Sequence, residues 1–456
     1  MGLQKHGKSS SFIRDAADRI GLARFGVVTV LVVAIGVRAL WVAYSCANGA
    51  IFIGGHPFGN GEMGRIALNL AENRGFSSPF GIGSEPTAWE CPVVPFIYSW
   101  AMKLGGGPNA RAATLLFYLQ SLIGGLGVWV YWLIVRRLVA QHAWRFAPWL
   151  SPAGAVLVCF WPESMVLATS LWYYVWQEAF LALFLFSLLT WRERATPRSA
   201  AIAGFCGGVL ALINVTPLPI VVILIGLVGF DLRELGYKSA WISVTAFVVV
   251  LAPWVVRNCT VFDTLVPLRS NAGFEIFQGN NAIECIREPA NAPHPASDPV
   301  QYGLYEQMGE IQYSKFCFGH AVSYVRAHLQ QTAYRVCARV YIVWMTDLSD
   351  HWAPSYIVPW WRSSPRYMVR FLVSSAFVVI GAVGFWWGIV RGRFTSLPNA
   401  SAFAVVLLFL PFPHYLTLAD PEYTTTFRML VALTSLCMLG LKSSAHETGQ
   451  RKCDVL

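Results

Sequence analysis

Glu62 and Arg65 stand three residues apart in GNGEMGRIALNLAENRGF, Gly59 to Phe76. A carboxylate there could take a proton from a hydroxyl, and the guanidinium could hold it in place or meet an anion. Met63, Ile66, Ala67, Leu70 and Ala71 follow the i, i+3, i+4, i+7, i+8 spacing of a one-sided helix, with Glu62, Arg65, Asn69 and Asn73 on its other faces. Asn60 suits its start and Gly75 its end. So short a helix is marginal in water, and suits a membrane surface with its polar face toward a cavity. Further cations are Arg257, beside Asn258, and Arg269, after Pro267; their forks fit a phosphate, and equally fit snorkelling to lipid headgroups. Arg38 lies within an apolar run, where a cation needs a partner or a water-filled cavity; a structural partner is favoured over an anionic ligand. Glu178 lies within another such run, where it faces a cavity or bonds to a neighbouring helix.

The elements that must position these groups are membrane spans. The chain has 456 residues, of which 55% are hydrophobic and 13% charged, with 19 Trp; the mean hydropathy is +0.50. This composition excludes an ordinary soluble domain and predicts an all-α polytopic membrane protein. Apolar runs at 26–46, 111–135, 146–161, 165–190, 199–214, 217–230, 239–257, 368–392, 399–418 and 426–442 predict ten spans. The first is preceded by charges of both signs and no cleavage site, so it is read as retained. Alternate threading puts Lys5, Arg14, Arg136, Arg192, Arg233, Arg391 and Lys452 on one side, which is then cytoplasmic and holds both termini. Two large segments, 47–110 and 258–367, fall outside. The expected division is 1–257, an N-terminal membrane module with 47–110 as its first outer loop; 258–367, an outer region with amphipathic helices; and 368–456, C-terminal spans and tail.

The net charge of +10 is accounted for by cytoplasmic loops facing anionic lipid, and no basic-aromatic nucleic-acid module is present. The ten cysteines form no CxxC pair and no zinc spacing. Cys285 and Cys317 fall outside, where a disulfide is permitted, but spacing does not establish the pair. The proline-rich 284–300 is expected to be irregular, either a lid or a passive connector. From Tyr302 to Asp347 a helix pair carrying Arg326, Arg335 and Arg339 suits the outer leaflet, with Trp352 to Trp361 marking the interface.

Three stretches carry a resemblance. The first combines Glu62, Asn73-Arg74-Gly75-Phe76, Pro86-Thr87-Ala88-Trp89 and Pro92-Val93-Val94-Pro95; the second is APWVVRNCTVFDTLVPLRSNAGFEIFQGNN, 252–281; the third is PFPHYLTLADPEYTTTFRML, before the last run. Together they resemble the GT-C membrane glycosyltransferases, specifically bacterial relatives of the protein O-mannosyltransferases and of the lipid A aminoarabinose transferase. The third departs from the pattern, since Glu422 and Thr424 flank Tyr423 where relatives carry arginines. The resemblance implies an inverting enzyme of the bacterial inner membrane. It would move a sugar from a polyprenyl-phosphate donor to an extracytoplasmic lipid, glycan or protein, with Glu62 as general base. Arg38, Arg65, Trp89, Arg257, Asn258, Arg269, Asn280, Tyr423 and Arg428 would line the substrate site; no metal ligand is assigned, and a divalent cation is left open. Read without the resemblance, Glu62 is an acid favoured by the helix dipole and paired with Arg65, and Trp89 and His56 are interface anchors. A polytopic transporter and a non-catalytic scaffold of the same fold are the competing readings.

Overall fold

In a computed structural model, residues 7–48, 58, 61–81, 83–141, 147–232, 237–283, 293–345, 365–397, 399–419 and 421–440 are described. Among them the fold is all-helical, with a lone β-bridge between Ser77 and Pro86. The helices are α1 Gly7–Ala47, α2 Glu62–Ala71, α3 Val93–Gly105, α4 Ala110–Gln141, α5 Ala147–Cys159, α6 Pro162–Leu167, α7 Tyr174–Arg194, α8 Pro197–Ile213, α9 Leu218–Asp231 and α10 Lys238–Phe262. There follow α11 Ala272–Gly279, α12 Pro299–Met308, α13 Glu310–Ala327, α14 Leu329–Met345, α15 Pro365–Val390, α16 Ala400–Phe409, α17 Phe412–Leu416 and α18 Thr425–Gly440.

Five stretches are long and apolar enough to cross a membrane: Gly26–Ala47, Ala110–Val139, Trp149–Leu167, Tyr174–Arg194 and Lys238–Phe262. Pro197–Ile213, Leu218–Asp231, Ala376–Val390 and Ala400–Leu416 are apolar but shorter. This is the architecture of an α-helical membrane protein. Helices 8 and 9 are separate, as the Pro217 and Pro219 breaks predict, with Asn214 ending the first in extended conformation. The run at 399–418 is instead divided into α16 and α17, where Pro411 and Pro413 interrupt it.

Helix 4 packs on α1 and α7, α8 on α7 and α10, and α15 on α18. Gly204 lets α8 and α10 touch: a Cβ there would run into the Ser243 carbonyl. The apolar face of α2 lies against protein rather than lipid. Met63 and Ala67 join Val94, Tyr98, Leu116 and Trp176, while Ile66 joins Phe76, Ala88 and Trp254. The helix therefore does not lie on a membrane surface, because the bundle and the segment after it cover the face that lipid would have taken.

Helix 11 packs on α13, and α14 packs on α15 and α17. Gly273 allows α11 onto α13, where a Cβ would meet the Ser314 carbonyl. Arg335 and Arg339 are buried, not turned to lipid: Arg335 Nη1 donates to Asn281 O (2.9 Å), and Arg339 bonds Gly279 O and Tyr415 O. They cap the carboxyl end of α11, whose dipole and free carbonyls attract cations. Cys317 is a free buried thiol; Cys285 and Trp352 to Trp361 lie outside the described residues.

Candidate functional site

Glu62 is the first residue of α2, preceded by Gly61 in extended conformation. No side chain caps the helix at Gly61, and Asn60 and His56 lie outside the described residues. The helix stops at Ala71, and Asn73 (φ 61°) and Gly75 (φ 83°) turn the chain back in left-handed conformation. The returning segment is held by Asn69, whose Nδ2 donates to the carbonyls of Ser77 (3.0 Å), Ser78 (3.2 Å) and Gly81 (3.2 Å). So a residue read from spacing as merely off the apolar face is buried and organises the loop.

Glu62 is nearly buried, and its Oε1 lies 3.0 Å from His294 Nε2. Arg65 lies one turn along the same helix and is half-buried. Burial pushes the Glu62 carboxyl up, but the His294 hydrogen bond and the positive field of Arg269 outweigh it and bring it below the ordinary carboxylate value.

Arg269 is the hub of the site. Its Nε donates to Trp89 O (2.8 Å), and its Nη2 to Glu90 Oε1 (2.9 Å) and Glu275 Oε1 (3.3 Å). Glu275 also accepts from Asn271 Nδ2 (2.9 Å). Burial pushes the Glu90 carboxyl up to about 8, against the pull of Arg269 and with the push of Glu62 and Glu275. Glu90 therefore holds a proton at neutral pH while Glu62 is ionised. Two carboxyls driven in opposite directions in one site form an acid–base arrangement.

Glu310, at the start of α13, positions the segment that carries Glu90. It accepts from Ala88 N (2.7 Å), Ser270 Oγ (2.6 Å), Tyr305 Oη (3.1 Å) and Thr87 Oγ1, tying the first segment to the 268–271 turn. Trp89 is buried among Phe80, Phe274, Tyr305 and Tyr313, as a wall of the site rather than an exposed contact. Among the described residues no group of three or more His, Cys, Asp or Glu is placed to hold a metal ion, so the open question of a divalent cation gains no ligand set.

Comparisons with protein-family models, with curated proteins and with solved structures find no match.

The structure brings together Glu62, Trp89 and Arg269 of the residues singled out by sequence, and places Arg257 and Asn258 beside them. Arg257 Nη1 donates to Thr87 O (2.6 Å) and Asn258 Oδ1 (2.9 Å), and its Nη2 to Phe76 O (3.0 Å); Asn258 Nδ2 donates to Val266 O (3.1 Å). These two hold backbone rather than offering a free fork. Asn280 is a tether, its Nδ2 donating to Ile276 O (2.8 Å) and Leu416 O (2.7 Å). Tyr423 stacks on His414 at 5.5 Å and leans on Tyr174.

Arg428 is buried on Glu163, and Arg38 reaches Ser164 Oγ (2.8 Å) and the carbonyl of Ala34 (3.1 Å). Both are held within the bundle, and Arg38 has the structural partner that its position called for. Glu90, Glu275, His294 and Glu310 were missed. Their signals are faint: an acid between Trp89 and Cys91 just before a proline, a lone acid in an aromatic stretch, and a His between Pro293 and Pro295.

Beside this polar site runs an apolar groove of about 940 Å³ between α3 and helices 4, 8 and 10. Phe96, Ile97, Trp100 and Leu104 of α3 line it with Leu119 and Trp254. Trp100 and Leu104 are exposed, so the groove opens onto a continuous apolar surface. Phe76 and Arg257 close the end where the groove meets the 76–91 segment.

Proposed function

We propose that this chain is a GT-C-type glycosyltransferase, inverting, that moves a sugar from a polyprenyl-phosphate donor to an acceptor outside the cytoplasm. The observation that carries the reading is that an apolar groove and a buried acid–base site are joined by one segment, with Phe76 lining the groove and Glu90 in the site. A lipid-linked sugar needs that pairing: an apolar slot for the chain and, next to it, polar groups for the head. Ten spans with both termini cytoplasmic would put that segment on the outer face of a bacterial inner membrane. The 258–367 region would then close over it.

In the reaction the Glu62 carboxylate takes the acceptor's hydroxyl proton. The acceptor oxygen's electron pair forms the new bond to the sugar's anomeric carbon, and the phosphate leaves with the pair of the broken C–O bond. With Glu90 protonated, Arg269 keeps positive charge for the departing phosphate. Arg65, half-buried on the helix that carries Glu62, is the second cation for the donor.

The transporter reading would place its working charges in mid-bundle. The charges found there are joined to one another, Arg428 to Glu163 and Arg38 through Ser164 to Glu178, which favours the enzyme. The scaffold reading draws on the altered third stretch, and there Arg428 is indeed engaged with Glu163.

The test is reconstitution in vesicles with a polyprenyl-phosphate sugar. Wild type should transfer and Glu62→Gln should lose about 10²- to 10⁴-fold in kcat, the usual contribution of a general base. Equal rates would remove Glu62 as base, and solute flux without transfer would replace the enzyme by a transporter. Reporter fusions at residues 70 and 300 should report an extracytoplasmic location.

A further inference from the structure

We propose that His294 is the positioning residue of Glu62: its Nε2–H fixes one carboxylate oxygen, leaving Oε2 as the atom that receives the acceptor's proton. The inference rests on the reading of Glu62 as base and names what orients it. His294 Nδ1 accepts the Ala296 N–H at 3.0 Å. A ring nitrogen that accepts cannot also carry a proton, so the imidazole proton sits on Nε2, aimed at Glu62 Oε1 3.0 Å away.

The ring is fixed from both sides, edge-on to Phe80 (centroids 5.7 Å apart) and to Phe274 (5.1 Å). Its backbone is fixed too, because His294 O accepts from Ser297 N (3.0 Å) and Asp298 N (2.8 Å) just before α12. A turn stapled to a helix start and clamped between two rings holds the imidazole still, which a single surface histidine does not achieve. The Glu62 carboxylate is bonded by the His294 side chain and by its own backbone N–H, and the histidine is the one of the two that reaches it from another part of the chain. The other charged groups of the site are Arg269, Glu90 and Glu275. Arg269 acts on Glu62 in the same direction as the histidine, and a charged Glu275 acts against it.

The experiment compares wild type, His294→Ala and His294→Gln in vesicles, with two readouts. Gln places an amide N–H near the position of Nε2, whereas Ala removes the donor. The first readout is the infrared carboxylate band that disappears in Glu62→Gln, followed against pH; it needs no turnover. Its midpoint should rise in His294→Ala and return toward wild type in His294→Gln. The second is the kcat–pH profile with the polyprenyl-phosphate sugar. Here His294→Ala should lose about 10- to 100-fold in kcat, the size of a hydrogen bond to a charged group, with KM nearly constant. Its acid limb should move to higher pH, and His294→Gln should recover most of the rate.

An unmoved Glu62 midpoint in His294→Ala overturns the inference, as does a kcat loss that His294→Gln fails to rescue. Absence of transfer by wild type, with the infrared shift present, overturns the enzyme reading and leaves the Glu62–His294 assignment standing.

Discussion

Two arginines of this chain each face carboxylates, and they are arranged in opposite ways. Arg428 clasps Glu163: Nε lies 3.1 Å from Glu163 Oε2, Nη1 donates to Thr424 Oγ1 (2.6 Å), and Trp161 Nε1 donates to the same carboxylate (3.2 Å). Both side chains are sealed, at 2% and 1% exposure, and the charges balance. Arg269 bridges Glu90 and Glu275 in a site that also holds Glu62 and His294, so three carboxyls share this one guanidinium's field. A balanced buried pair has one protonation state over the accessible pH range and acts as a fixed clasp. An unbalanced cluster must hold a proton somewhere, and its protonation can change during a reaction.

The largest expected effect breaks the clasp. Glu163→Ala strands a buried guanidinium and should cost about 3–5 kcal/mol, whereas Glu163→Leu with Arg428→Met should recover most of that loss. Thermal unfolding of purified protein in detergent checks both. If the single and double variants behave alike, the pair is not a clasp.

The contrast also has a pH signature. Glu90 is pushed up to about 8 in the folded protein, from an ordinary 4.5. A carboxyl whose folded value is raised contributes stability that is complete below its unfolded value and is lost as pH rises through the folded one. One proton bound only by the folded state makes stability fall by about 1.4 kcal/mol per pH unit, so about 2 kcal/mol should disappear between pH 6 and 8. Glu90→Gln should flatten that decline. Glu62 is displaced the other way, so its contribution is present above the ordinary carboxylate value and is lost as pH falls through its lower folded value. Unfolding midpoints across pH 3–9 should therefore show two flanks, the alkaline one reduced by Glu90→Gln and the acid one reduced by Glu62→Gln. A single flank common to both variants would mean that the two carboxyls do not titrate apart.

The clasp and the cluster were unequally legible in the sequence. Helix periods located α2 and the apolar runs, because burial of a face imprints a local repeat that a window of about fifteen residues reveals. The same local logic placed Glu62 at a helix start and Arg38 beside a structural partner. It failed where the partner lies far along the chain. Glu62 and His294 are 232 residues apart, Arg269 and Glu90 are 179, and Arg428 and Glu163 are 265. No period links such residues, so Arg257 and Arg428 looked free when each is held by a distant group. The reading of α2 as a surface helix failed similarly: the amphipathic pattern shows that a face is covered, but protein and lipid cover it equally well.

The smallest effect concerns a case between the two. Ser164 Oγ accepts from Arg38 Nη2 (2.8 Å) and donates to Glu178 Oε1 (2.7 Å), so an intramembrane arginine and glutamate are joined through a hydroxyl instead of touching. Ser164→Ala should cost about 1–2 kcal/mol, the size of losing hydrogen bonds to charged groups while part of their solvation remains. Arg38 keeps its bonds to the carbonyls of Ala34 (3.1 Å) and Cys159 (3.4 Å), which disperse its charge over backbone dipoles. The loss should therefore fall well short of that in Glu163→Ala, where the arginine loses its counter-charge itself. Equal losses in the two variants, measured by unfolding in the same detergent, would mean that Ser164 transmits a full charge pair, and that the bundle contains two clasps rather than one.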